Sequence, residues 1–122
     1  MKVAAYWNLH KNIFSIQSRE KENYGKVISH VNSVVIALPK FVVRQAGREK
    51  VLETKQKNVH AFIVGHLLPG EFIIPKEKPS LVYYNPYKFN SFVKADTKEQ
   101  IKQADVAILR LHNKKPVIEA YS

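Results

Sequence analysis

The chain has 122 residues, which is enough for one compact domain with one core and too short for two, so we expect residues 1–122 to form a single domain. Its hydrophobic fraction of 45% and charged fraction of 25% exclude a disordered chain. The 20 Lys and Arg against 10 Asp and Glu give a formal net charge of +10. That excess favours an anionic partner such as a nucleotide or a nucleic acid, although it also serves solubility.

Several classes of site are excluded by composition. The chain has no cysteine, so disulfides, cysteine-based zinc sites and cysteine nucleophiles are absent. With four glycines, neither a GxGxxG nor a Walker A motif can be written, and His60 and His66 lack the i,i+4 spacing of a helical zinc site. No segment is apolar enough to span a bilayer or to form a signal-peptide core. We therefore expect a cytoplasmic protein with no cofactor, no metal and no membrane contact.

Strand-like runs dominate the first 43 residues. Residues 2–9 and 13–18 are predicted to form a hairpin, with Phe14 and Ile16 as the core pair of its second strand. Further apolar stretches cover residues 26–31 and 33–38 and end at Pro39. Because proline has no backbone N–H to donate to a neighbouring strand, Pro39 argues against a central strand that continues through this position. Residues 41–43 then resume the sheet.

The spacing of apolar residues changes after residue 43, from the alternation of a strand to the spacing of a helix. Residues 44–56 place apolar side chains at helical spacing and predict a short helix. Residues 58–65 are apolar on both faces, which predicts a central strand.

Short elements follow in the last third of the chain. We expect a turn at Pro69-Gly70, strands over 71–74 and 81–84, a helical turn over 96–100, and a hairpin of 104–111 with 116–121. The sum is an α+β fold: a single small domain, mostly antiparallel β-sheet with one or two short helices.

The predicted helix carries the strongest candidates for ligand binding. Arg44 and Arg48 are four residues apart, so on a helix they share a face and can form a two-pronged clamp for a phosphate. Lys57 and Asn58 follow at the start of the central strand. The alternative is a solvated helix face that neighbouring glutamates partly neutralise.

Histidines offer a catalytic alternative. Cleavage of a phosphodiester by a 2′-hydroxyl needs a base, an acid and a cation, and His60 with His10 or His30, beside Lys57 or Arg48, would supply them without a metal. His60 ranks first because it interrupts an apolar run and must find a partner there. Each histidine can equally be a structural residue, so the sequence leaves open whether the chain is an enzyme.

The segment Tyr84-Asn85-Pro86-Tyr87 adds aromatic candidates. Asn-Pro favours a turn, and a turn exposes rings on which bases can stack, so Tyr84 and Tyr87 are predicted ligand contacts. Packing in the core is the alternative role for such rings.

Four segments, YWNLHK, AGREKV, KNVHAF and YNPY, together resemble a widespread group of short phage-encoded proteins of uncharacterised function. The resemblance implies a phage accessory protein acting in the host cytoplasm, where counter-defence is a common role. We therefore expect a small basic protein that binds a phosphate-bearing ligand, either a nucleotide signal or a nucleic acid. The alternatives are a metal-independent phosphodiesterase or ribonuclease, acting on a cyclic nucleotide or RNA, and an inhibitor of an acidic host protein.

Overall fold

The computed structural model describes residues 1–68 and 77–121, which form nine strands and one helix. In chain order these elements are β1 Lys2–Asn8, β2 Ile13–Ser18, β3 Val27–Val31, β4 Val34–Val43, α1 Gln45–Thr54, β5 Ala61–Leu67, β6 Ser80–Tyr83, β7 Val93–Lys94, β8 Val106–His112 and β9 Lys115–Tyr121. The turn predicted at Pro69-Gly70 and the strand predicted over 71–74 lie outside the described residues.

All nine strands belong to one sheet in the order β3-β2-β1-β5-β4-β8-β9-β6-β7, and every pairing is antiparallel. The fold is therefore a small domain dominated by antiparallel sheet, richer in β structure than the predicted α+β class. The predicted helical turn over 96–100 is also wrong. Asp96 accepts the N–H of Thr97 in a tight turn, and Lys98 has a positive φ of 63° that a helix does not allow.

The core covers one face of the sheet. Alternate residues of the strands point to it, including Val3, Phe14, Ile36, Ile63 and Leu109. Phe14 and Ile16 are each 1% exposed, which confirms the predicted core pair.

Both predicted hairpins are confirmed. Strands β1 and β2 pair from Val3 with Ser18 to Asn8 with Ile13. Strands β8 and β9 pair along their whole length, and their two-residue turn is formed by Asn113 and Lys114, at φ 51° and 65°. Positive φ at both turn positions is what the right-handed strand twist requires of a tight hairpin.

Pro39 leaves β4 intact but shifts its register. The pairing with β5 moves between Ala37 and Lys40, and Leu38 takes a positive φ of 49°. A bulge accommodates the residue that cannot donate to the ladder, so β4 continues to Val43.

The helix and the central strand appear close to their predicted limits. α1 begins after Arg44, whose backbone is extended, and ends at Lys55, which has a left-handed backbone. β5 begins at Ala61 rather than residue 58, and it pairs with β1 and β4, which confirms its central position. Within the described ranges, no helix is long and apolar enough to cross a membrane.

Candidate functional site

Helix α1 packs against His60 through a glycine. A Cβ added to Gly47 would lie 2.6 Å from the Cβ of His60, so only glycine permits this approach of helix and chain. The backbone N–H of Arg44 donates to the His60 carbonyl at 2.7 Å. The start of α1 is thus fixed against the residue that leads into β5.

Both ring nitrogens of His60 have partners, and the residue is only 6% exposed. Nδ1 lies 2.8 Å from the carbonyl oxygen of Asn58, and Nε2 lies 2.7 Å from the hydroxyl of Tyr84. A carbonyl only accepts, so Nδ1 carries the hydrogen. In the neutral ring Nε2 then accepts from the Tyr84 hydroxyl, and the imidazole links two segments of chain.

Tyr84 is packed into the core edge by its ring and held there by its hydroxyl. Its ring centroid lies 5.2 Å from that of Phe92. Burial raises the pKa of Tyr84 to about 12, and the nearby Arg48 charge offsets part of that effect. Tyr84 therefore stays protonated at neutral pH and donates to His60.

Arg48 anchors the loop that follows Tyr84. Its Nε donates to the carbonyl oxygens of Pro86 at 3.1 Å and Phe89 at 3.0 Å. Gln45 donates to the Asn90 carbonyl at 2.8 Å from the same helix. We call Gly47, Arg48, His60 and Tyr84 the junction, since together they join α1, β5 and this loop.

Arg44 lies apart from Arg48. It precedes the first residue of α1, and its guanidinium carbon stacks 4.8 Å from the ring centroid of Phe62. The two arginines predicted to form one clamp therefore contact different parts of the protein.

Arg44 lines a cavity of about 290 Å³ on the face of the sheet opposite the core. The described residues around this cavity, which we call the basic pocket, are Lys2, Arg19, Tyr24, Val42, Arg44, Phe62 and Val64. The pocket follows from strand alternation. Ala61 and Ile63 face the core, so Phe62 and Val64 must project to the other side.

Arg19 lines the pocket and contacts two of its aromatic rings. Its guanidinium carbon lies 4.8 Å from the ring centroid of Tyr24 and 5.4 Å from that of Phe62, and Nη1 donates to the Tyr24 hydroxyl. Its Nε is buried and has no hydrogen-bond partner in the described part of the chain. A buried unpaired donor is costly, so this guanidinium is only partly satisfied by the described residues.

Positive charge in the pocket lacks acidic partners. Its three cations, Lys2, Arg19 and Arg44, meet no carboxylate among the described lining residues. Across residues 1–68 and 77–121, the ion pair present is Arg110 with Glu119. The Glu20 carboxylate lies nearby but accepts the backbone N–H of Lys2 at 3.0 Å.

Sequence reasoning missed Lys2, Arg19 and Tyr24, although a signal existed for two of them. The pairing of Val3 with Ser18 in the predicted hairpin places residues 2 and 19 side by side. The N–H of Arg19 indeed donates to the Lys2 carbonyl at 2.9 Å. Lys2 and Arg19 stand at the two chain ends of the hairpin, opposite its turn. Their pairing therefore predicts a local cluster of positive charge.

The three histidines proposed for catalysis lie in different surroundings. His30 is on the edge strand β3, with Nδ1 2.9 Å from the Ser15 hydroxyl. β3 is three strand spacings, about 14 Å, from β5, which His60 precedes. His10 is exposed in the turn after β1, where its N–H donates to Asn8. Among the described residues, no three His, Asp or Glu side chains are grouped to hold a metal.

The remaining predicted contacts lie outside the basic pocket. Lys57 and Asn58 are exposed in the segment between α1 and β5. Tyr87 is 54% exposed, and the Lys55 Nζ lies 5.2 Å from its ring centroid. None of these three residues lines the pocket that contains Arg44.

Comparisons with known proteins agree with the resemblance of the four sequence segments. The family described as Mycobacterium phage L5 gene 82 protein matches residues 1–117. The gene 82 protein of Mycobacterium phage L5 is 40% identical over 114 residues, which covers 86% of each chain. No solved structure matches. The chain therefore belongs to the phage L5 gene 82 protein family, a group of short phage proteins.

Proposed function

We propose that the protein binds a phosphate-bearing ligand, a nucleotide signal or a nucleic acid, in the basic pocket. The observation that carries the proposal is the convergence of Lys2, Arg19 and Arg44 on one cavity, with no carboxylate among the lining residues that the structure describes. Guanidinium groups pair with phosphate oxygens through two parallel hydrogen bonds, and a lysine adds a point charge beside them.

Repulsion between the pocket cations favours an anion there. The guanidinium carbons of Arg19 and Arg44 lie 5.4 and 4.8 Å from the same Phe62 ring centroid. They are thus at most about 10 Å apart, within one Debye length at 0.1 M salt. A phosphate between them would replace that repulsion with attraction, and the net charge of +10 would draw it in.

The size of the pocket suits part of a nucleotide. Its volume of about 290 Å³ is just below the range for small-molecule sites, about 300–1,000 Å³. A phosphate with its sugar fills such a space, and the base of the ligand would extend beyond it.

Binding is better supported than cleavage. His60 uses both ring nitrogens in internal hydrogen bonds, and His30 is on edge strand β3, which two strands separate from β5. A base and an acid for one phosphodiester must reach the same group of atoms. The geometry of the described histidines therefore favours a binding protein over a phosphodiesterase.

Calorimetry with pyrophosphate, a cyclic dinucleotide and short RNA and DNA tests the proposal. The wild type should bind at least one of these probes, and Arg44→Met or Arg19→Met should weaken that binding about tenfold or more, since one charge-assisted contact contributes at least about 1.4 kcal/mol. Lys114→Met is the control, because it removes one exposed positive charge from the β8–β9 turn.

Two outcomes would overturn the proposal. One is a folded wild type that binds none of the probes. The other is binding that both pocket variants and the Lys114 control leave equally strong. Recovery of the intact probe after incubation separates binding from cleavage, and cleavage that persists in EDTA and requires His60 would support the enzyme alternative.

A further inference from the structure

A second cationic surface with exposed aromatic rings lies beside α1 and reaches Lys55 at the end of the helix. Tyr83 is 37% exposed and Tyr87 is 54% exposed. The Nζ atoms of Lys98 and Lys55 lie 5.9 and 5.2 Å from the centroids of these two rings, respectively. We call Tyr83, Tyr87, Phe89, Lys55 and Lys98 the aromatic ridge.

Internal contacts hold the ridge in place. The side chain of Asn85 accepts the N–H of Tyr87 at 2.9 Å and donates to the Tyr83 hydroxyl at 3.3 Å. Phe89 packs edge-on against Tyr83 with centroids 5.9 Å apart. Arg48 of the junction secures the same loop through two carbonyls. The exposed rings are therefore fixed before any ligand arrives, which lowers the entropy cost of binding.

We propose that the ridge stacks the bases of a single-stranded nucleic acid whose phosphates enter the basic pocket. This inference rests on the proposed function and narrows its ligand from a nucleotide signal to a strand. Exposed rings with cations beside them are the usual platform for unpaired bases, because every base has a face that can stack. In a duplex the faces of the bases are stacked on neighbouring bases, so aromatic side chains cannot stack on them.

The helix sets the distance between the two surfaces. Arg44 of the pocket precedes α1 and Lys55 of the ridge follows it. Eleven residues at 1.5 Å rise separate them by about 16 Å, which is about five nucleotides at the 3.4 Å spacing of one strand. A strand of about that length would reach both surfaces.

A length series tests the inference. Oligothymidylates of one to eight nucleotides with a 5′-phosphate compete with labelled octathymidylate, with pyrophosphate and an eight-base-pair duplex as further competitors. Affinity should rise at least tenfold between two and five nucleotides and change little beyond that. A matching oligouridylate series shows whether DNA or RNA is preferred.

Two variants connect the rise in affinity to the ridge. Tyr87→Ala should abolish the length dependence and leave pyrophosphate binding unchanged. Lys55→Gln should weaken octathymidylate binding at least threefold more than Lys114→Gln does. These lysines are a matched pair, because both are exposed and both have left-handed backbones, at φ 61° and 65°.

The outcomes separate this inference from the proposed function. Affinity that is flat with length, or a length dependence that Tyr87→Ala retains, refutes the ridge while pyrophosphate binding still supports the pocket. A duplex that competes better than the single strand also refutes the ridge. Failure of pyrophosphate, of a cyclic dinucleotide and of every oligonucleotide to bind refutes both.

Discussion

The junction and the basic pocket contain arginines only four residues apart in sequence, and these arginines have opposite surroundings. The Nε of Arg48 donates to two carbonyls. Its neighbour Gly47 packs directly against the side chain of His60. Arg44 lies over Phe62 beside Arg19, with no carboxylate among the described lining residues. Two arginines four positions apart can thus hold the fold or remain available to a ligand, and their contacts decide which.

The two regions should therefore respond differently to mutation. At the junction His60 is buried, Arg48 and Tyr84 are half-buried, and all three have hydrogen-bond partners, so their removal leaves cavities and unpaired partners that destabilise the protein. Cations in the pocket repel one another, so their removal should cost little stability and should weaken ligand binding. Four measurements test this contrast, taken from the largest expected effect to the smallest.

His60→Ala should have the largest effect on stability. It removes a buried ring, leaves the Asn58 carbonyl and the Tyr84 hydroxyl without their partner, and should lower the free energy of unfolding by about 3 kcal/mol. Urea denaturation measures the loss. His112→Ala, at an exposed position of β8, is the control and should change stability by less than about 0.5 kcal/mol. Equal effects of the two changes would mean that the junction does not stabilise the fold.

Replacing each arginine by methionine separates the two regions most directly. Arg48→Met removes the donor to Pro86 and Phe89 and should lower the free energy of unfolding by about 2 kcal/mol, with pyrophosphate binding unchanged. Arg44→Met should change stability by less than about 0.5 kcal/mol and weaken pyrophosphate binding about tenfold. Denaturation and calorimetry on both variants give the comparison. If Arg48→Met reduces binding as much as Arg44→Met, the predicted clamp describes the site better than the pocket does.

Gly47→Ala tests the close contact between helix and His60. The new Cβ would lie 2.6 Å from the Cβ of His60, an atom near the backbone that cannot move aside freely. Overpacking costs about 1–3 kcal/mol and the better helix propensity of alanine returns about 1 kcal/mol, so we expect a net loss of about 1 kcal/mol. Glu53→Ala, on the exposed surface of α1, should change stability little. A stabilised Gly47→Ala variant would show that α1 and His60 are not in close contact.

Most of the fold follows from local patterns in the sequence. Turn residues and alternation predict both hairpins, and the change of period predicts α1, because these signals act over a few residues. Pro39 shows where such reasoning ends. Whether a proline stops a strand or bends it into a bulge depends on the partner strands, here β5 and β8, and the local sequence does not contain them.

The site was less predictable because it depends on where chain segments meet. Helical spacing placed Arg44 and Arg48 on one face, yet Arg44 is the residue before the helix, and its extended backbone directs it elsewhere. The need of His60 for a partner was predicted correctly. That partner is Tyr84, which is 24 residues away, and no pattern of spacing identifies it.

The pH dependence of Tyr84→Phe is the smallest effect and tests how closed the junction is. Burial raises the pKa of Tyr84 from 10.0 to about 12, so the folded protein holds the phenol proton more tightly than the unfolded chain does. The stability that the neutral phenol supports is complete below pH 10 and is lost as the pH rises towards 12. Tyr84→Phe carries no such proton. Its stability deficit relative to the wild type, measured by urea denaturation, should therefore shrink between pH 10 and 12, and Tyr121, which both proteins retain, cancels in the difference. A deficit that stays constant from pH 8 to 12 would mean that the Tyr84 hydroxyl is open to solvent, and the junction would then resemble the pocket.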